Sequence, residues 1–196
     1  MVPSVNFATP SMPHKAGSPP DGDRRSSRGR GNRPPSARHQ GALGKGHYSR
    51  AKNLNWSSVG IGTYLGGQDD ATDALVADAV EGVVAGGLNV IDSAANYRRE
   101  RGEESVGVAL DRLFTKSTVQ RDEVIVCTKG GYLPHGGAWF EEHFVGQGTI
   151  TAEDMVGGSH SMYPEYLDSQ LERSRLNLGV DTIDVHYVHN PEAQAG

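Results

Sequence analysis

Four polar side chains occupy positions from which parallel α/β proteins do chemistry. Asp92 closes the apolar run LNVI, Lys129 closes VIVCT, and His189 closes IDVHYV, while Tyr97 lies five residues past Asp92 in IDSAANY. A carboxylate, an ammonium, an imidazole and a phenol are all proton-carrying groups, and brought together they can serve general acid–base catalysis. Singly, each has a plainer meaning: a helix cap, a solvated lysine, a satisfied loop histidine. Repetition gives the set its weight, because three titratable groups leave three successive apolar runs at the end where such folds bind ligands. Alternation places Val185, Tyr187 and His189 on one strand face, and likewise Ile125, Cys127 and Lys129. His186 and His189 are an odd number of residues apart and fall on opposite faces, so no metal site is expected.

The elements that must position these groups alternate in type. SSVGIGTY reads as a first strand. Asp70 can cap a helix over 71–85, whose apolar positions are Ala74, Leu75, Ala77, Val80, Val83 and Val84, and Gly86-Gly87 ends it. A short strand at 88–91 follows, then a helix over 105–114, a β-branched strand at 124–128, a helix over 164–178 facing inward with Tyr166, Leu167, Leu171 and Leu178, and a strand at 182–188. Near-continuous apolar strands joined by helices mean a parallel sheet covered by helices, either a (β/α)8 barrel or an open doubly wound sheet. A full barrel needs about 250 residues; 54–196 holds four strands, so on the barrel reading it is the N-terminal half.

Residues 1–53 are expected to be a disordered tail rich in Pro, Ser and Arg. The first fifty residues carry nine Lys/Arg against two Asp/Glu, whereas the chain as a whole is at −5, so the foldable part is strongly acidic. That sign argues against nucleic acid as a partner. No run reaches the roughly 20 apolar residues of a membrane span, and no apolar segment follows Met1 to make a secretory signal. The single cysteine, Cys127, sits in an apolar run and reads as a small buried hydrophobe; it permits no internal disulfide, which fits a reducing, cytoplasmic setting. An Arg/Ser-rich, acid-poor start also has the composition of an organelle import signal, although its Pro and Gly break any amphipathic stripe.

GIGTY, IDSAANY, TKGGY and IDVHYVHNPE, in this order and spacing, resemble the aldo-keto reductase superfamily from about Trp56 to Glu192. The resemblance implies a (β/α)8 barrel of which the first four units are present, and reduction of an aldehyde or ketone by NADP(H), ahead of NAD(H). It places the reaction tetrad on Asp92, Tyr97, Lys129 and His189, and sets Gly62, Thr63 and Tyr64, with Asp92, beside the nicotinamide. Carbonyl reduction needs a hydride on carbon and a proton on oxygen. A phenol is a weak acid near neutrality, with a free pKa of about 10, and an adjacent ammonium favours the phenolate. On this reading Tyr97 is the general acid, Lys129 steadies its conjugate base, Asp92 aims Lys129, and His189 orients the carbonyl oxygen. The connection 131–163 far exceeds an ordinary βα loop and carries Tyr132, His135, Trp139, Phe140, His143 and Phe144. Trp139 is expected, with His189, to wall the substrate pocket; the plainer alternative is that these aromatics pack the loop down.

Two rivals remain. Gly60, Gly62 and Gly66, with Asp92 beyond, approach a dinucleotide-binding fingerprint, but the glycine spacing and the distance to the acid are both too long. Alternatively the chain is a catalytically inactive fragment or interaction module of the same family, whose uncovered sheet edges invite self-association.

Overall fold

The computed structural model describes His39 and residues 43–195. The first described elements form a hairpin, β1 (Tyr48–Ala51) and β2 (Leu54–Ser57), paired antiparallel from Tyr48↔Ser57 to Ala51↔Leu54. Its two-residue loop holds Lys52 and Asn53 at φ of 51° and 64°, the doubly left-handed turn that suits the twist of a tight hairpin. The folded part therefore begins upstream of residue 54, inside the stretch expected to be tail; the rest of that stretch lies largely outside the described residues. Asn89 fixes the hairpin beneath the sheet: its side chain accepts from Ser57 N at 2.8 Å and donates to Asn55 O at 2.7 Å.

The main sheet follows the expected alternation. Its strands are β3 (Gly60–Gly62), β4 (Val90–Asp92), β5 (Ile125–Gly130) and β6 (Val185–Val188). Every pairing is parallel and the order is β3-β4-β5-β6. Strands laid down in sequence order have no point at which the order reverses, so the doubly wound alternative, which requires one, does not describe them. They are the first four strands of a (β/α)8-type sheet.

Helices α1 (Asp70–Ala85), α2 (Arg101–Thr115) and α4 (Pro164–Leu178) make the crossovers. Asp69, not Asp70, caps α1, accepting from Thr72 N at 2.8 Å. The aspartates after it turn outward to arginines of the next unit instead, Arg98 with Asp73 and Arg101 with Asp70 and Asp73. Of the expected α1 stripe, Ala77, Val80 and Val84 are buried, whereas Leu75 is exposed. They meet Val106, Leu110 and Leu113 of α2 and Ile91 and Val126 of the strands in one core. α4 starts at proline, which suits a first helical position lacking a hydrogen-bond partner, and stops at Gly179 in the left-handed region. Its inward stripe is Tyr166, Gln170, Ser174 and Leu178; Leu167 and Leu171 are only half-buried.

The long connection after β5 is structured. It contains α3 (Gly137–Phe140), continued by a wide helical turn at Glu141–Val145, and a short 3-10 turn at Ala152–Asp154. Leu133, Phe140, Phe144 and Ile150 join Tyr166 of α4 in a second core. Gln170 ties down its start, accepting from Gly131 N at 2.6 Å and donating to Tyr132 O at 2.9 Å. Among the described residues no helix is long and apolar enough to cross a membrane.

Candidate active site

Strand register brings the predicted groups together. Gly62 lies opposite Asp92, Asp92 opposite Cys127, and Lys129 opposite Tyr187, so Asp92 and Lys129 leave neighbouring strands at the same end. His189 follows β6 and extends the ladder, its N–H donating to Gly130 O at 2.7 Å. The Lys129 ammonium donates to Asp92 Oδ2 at 2.8 Å, to Ser93 O at 2.7 Å and to Tyr97 Oη at 3.1 Å. All three of its protons are thereby directed. The same nitrogen stands 4.6 Å from the centre of the Tyr97 ring.

Tyr97 is presented by a strained turn. Arg98, Arg99 and Glu100 all have positive φ, at 51°, 56° and 72°. Each such residue costs about 1–3 kcal/mol and persists only where its surroundings hold it. Arg98, its side chain 2 % exposed, donates to Asp73 at 2.7 Å, Ser105 Oγ at 2.9 Å and Arg101 O at 3.1 Å. Glu100 is held by Arg173 through two hydrogen bonds, of 3.1 and 3.0 Å. Burial would raise its carboxyl pKa, but His135 and Arg173 together outweigh burial and the net shift is downward. Gly102 matters here because a Cβ would lie 3.0 Å from that of Tyr97, where α2 begins against the tyrosine.

A cavity of about 390 Å³ is lined by Tyr64, Asn96, Tyr97, Tyr132 and His189. Three edge-to-face contacts run around it: Tyr64 to Tyr97 at 5.1 Å, Tyr97 to His189 at 5.7 Å, and His189 to Tyr132 at 5.0 Å. Thr63 sits behind, buried, its hydroxyl donating to Ser93 Oγ at 2.9 Å. Burial, then the positive charge of neighbouring Lys129, hold the His189 pKa below the ordinary imidazole value. Two polar atoms at this cavity, Asn96 Oδ1 and His189 Nδ1, are buried without a protein partner.

A second histidine braces the first. His160 is 1 % exposed; its Nε2 bonds the carbonyl of His189 at 2.7 Å and its Nδ1 meets Gln194 Nε2 at 2.7 Å. A carbonyl can only accept, so Nε2 carries the proton and Nδ1 accepts. Gly131, at φ +130°, makes room: a Cβ there would lie 2.6 Å from His160 Nε2.

The structure thus gathers Asp92, Tyr97, Lys129 and His189, with Gly62, Thr63 and Tyr64 alongside. It does not bring Trp139 to them. Trp139 stacks on His143, with ring centroids 4.9 Å apart, and lines a separate groove toward α4, because Phe140 and Phe144 anchor that part of the loop in the second core. Tyr132, from the start of the same connection, lines the cavity beside His189. His160 and Gln194 carried no sequence signal, since neither stands at a strand end or in a patterned run, while Asn96 lies inside IDSAANY without a strand-end position of its own. Cys127 is buried, which pushes its thiol pKa up to about 12, and it reads as packing rather than nucleophile.

Comparison with known proteins gives the family. The profile of the Aldo/keto reductase family matches residues 58–195, and the chain belongs to that family. Human aldo-keto reductase family 1 member C2 is 28 % identical over 133 residues, which cover 68 % of this chain and 31 % of that protein. Bovine prostaglandin F synthase 1 is 26 % identical over 133 residues, with the same 68 % and 31 % coverage. The chain spans about a third of the length of these curated relatives. Among solved structures, an aldo/keto reductase from Klebsiella pneumoniae in complex with NADP and acetate aligns with a TM-score of 0.47 at 23 % identity, covering 70 % of this chain and 36 % of that one. The holo form of an aldo-keto reductase from Bacillus halodurans aligns at 0.48 and 24 %, covering 70 % and 37 %.

Proposed function

We propose that residues 58–195 form the proton-transfer wall of an aldo-keto reductase site that reduces an aldehyde or ketone, with NADP(H) ahead of NAD(H) as cofactor. The observation that carries this reading is the Lys129 ammonium held between Asp92 Oδ2 at 2.8 Å and Tyr97 Oη at 3.1 Å. The cavity fits the reacting end of a nicotinamide. Gly62 has open space where a side chain would stand, Tyr64 is 65 % exposed, and Asn96 Oδ1 and His189 Nδ1 lack protein partners. Its lining contains no cation to grip a diphosphate, so that end of the cofactor is assigned to no residue here. When bound, the cofactor supplies the hydride for the carbonyl carbon.

The chain's own residues handle the proton. Tyr97 Oη gives its proton to the carbonyl oxygen, and the negative charge left on the phenol develops beside Lys129. Asp92 and Ser93 O hold that ammonium in place. A neutral His189 keeps an N–H with which to orient the carbonyl oxygen. Tyr97→Phe deletes only the proton donor. In an active preparation it should abolish NADPH-dependent aldehyde reduction while leaving NADPH affinity within about twofold; near-normal turnover would reject the assignment.

One observation favours a second reading, in which this chain alone does not turn over. β6 has no outer strand partner among the described residues, and Tyr187 and Val188 on it are 46 % and 36 % exposed. On that reading the site works only once further protein covers this edge. Saturable enhancement of NADPH fluorescence by the chain at micromolar concentration supports the first reading, and its absence the second.

A further inference from the structure

The groove that holds Trp139 has a volume of about 570 Å³, within the range of small-molecule sites. It lies between the long connection and the outer side of α4, and the tetrad plays no part in it. Its walls are mainly apolar: Pro134, Trp139, Phe144, Leu176 and Ala95. Trp139 and His143 stack at an interplanar angle of 24°, and the centroid of the His135 ring lies 5.4 Å from that of the indole, so three aromatic rings cluster in the groove wall.

The charges around it are unequal in their freedom. The cationic Arg173 is already committed to Glu100, which also receives His135 at 3.2 Å. Glu172 is paired with Arg175 at 2.6 Å. Glu165 and Asp168, one turn apart on α4, line the groove exposed and reach no cation of the described residues within ion-pair distance. His143 Nδ1 bonds the Trp139 carbonyl at 2.8 Å, so that nitrogen carries the ring proton and a neutral ring offers an acceptor at Nε2. An aromatic wall with free carboxylates and acceptors at its rim suits a flat apolar body bearing a cationic, hydrogen-donating head, through stacking, cation–π attraction and charge pairing.

We propose that this groove is a second ligand site, for aromatic amines, distinct from the carbonyl-reducing cavity. The test uses the whole chain labelled with nitrogen-15 and follows the two indole N–H signals, assigned through Trp139→Phe. Trp56 serves as internal control, being tied to Ala51 O at 3.0 Å in the hairpin. Tryptamine should shift the Trp139 signal saturably, with a Kd of about 0.1–1 mM, and leave Trp56 unmoved. Indole-3-acetate, of similar shape and opposite charge, should bind at least about tenfold more weakly. Glu165→Gln with Asp168→Asn, both at exposed positions that leave the cores intact, should shrink that preference to within about threefold. Equal affinity for the two ligands in the unaltered chain, or no saturable shift with tryptamine up to about 10 mM, overturns the proposal.

Discussion

Glu103 is a carboxyl group fully buried in α2, next to the strand that carries Lys129. It accepts from Thr128 Oγ1 at 2.5 Å and from Asn177 Nδ2 at 3.0 Å, yet burial still raises its pKa above the ordinary glutamate value. A raised folded-state pKa means that the native protein binds the proton more tightly than the unfolded chain. The stability this contributes is present in full below the unfolded value near 4.5 and is lost as pH rises through the folded one. Glu103→Gln keeps the shape and an acceptor for Asn177 but never ionises. Wild type and variant should therefore be close in stability at about pH 4.5, and the variant should gain by about 1.4 kcal/mol per pH unit until Glu103 is ionised in the native state. Urea unfolding at half-unit pH steps measures the difference directly. A flat difference from about pH 5 to 8, or a glutamine variant weaker by more than about 1 kcal/mol at neutrality, would refute the reasoning.

Other substitutions probe the supports of the site. Arg121 and Asp184 form a buried pair at 2.8 Å, with side chains 1 % and 5 % exposed, so Arg121→Met should cost about 3–5 kcal/mol in urea unfolding. Phe140→Ala opens the second core and should cost about 3–5 kcal/mol, with faster hydrogen exchange in the long connection than in the main sheet. Gly131→Ala drives a methyl into His160 and should lower turnover more than cofactor affinity, whereas Gly136→Ala, equally left-handed but facing open space, should spare turnover. His189, its pKa depressed mainly by burial, contributes stability that is present above the unfolded imidazole value and lost as pH falls through the folded one; His189→Gln should flatten that acid-side loss in urea unfolding.

The β/α alternation was legible because its signals are local: apolar runs, a cap, a glycine stop. The tetrad was legible because three of its members end such runs. What stayed hidden depended on contacts distant in sequence. Lys52-Asn53 is a weak hairpin signal beside Asn-Gly, and only the pairing of β1 with β2 reveals the turn. Leu75 and Leu176 were indistinguishable by type from the leucines that pack, yet they are 70 % and 62 % exposed. Gln170 and Ser174 break the apolar stripe of α4 and are nonetheless buried, since Gln170 bonds the backbone of the long connection. The aromatics of that connection divided in a way that composition could not foretell: Tyr132 to the cavity, Phe140 and Phe144 to the core, Trp139 to the groove. His160 illustrates the limit most plainly, as its two partners come from residues 189 and 194.

The shared proton path is best tested by a double-mutant cycle on kcat/KM for NADPH-dependent aldehyde reduction, using Tyr97→Phe, Lys129→Met and the pair together. If the phenol and the ammonium act as one unit, the double variant should lose no more than the worse single variant, within about threefold. Losses that multiply would mean the two groups act independently, and would contradict the account at its root.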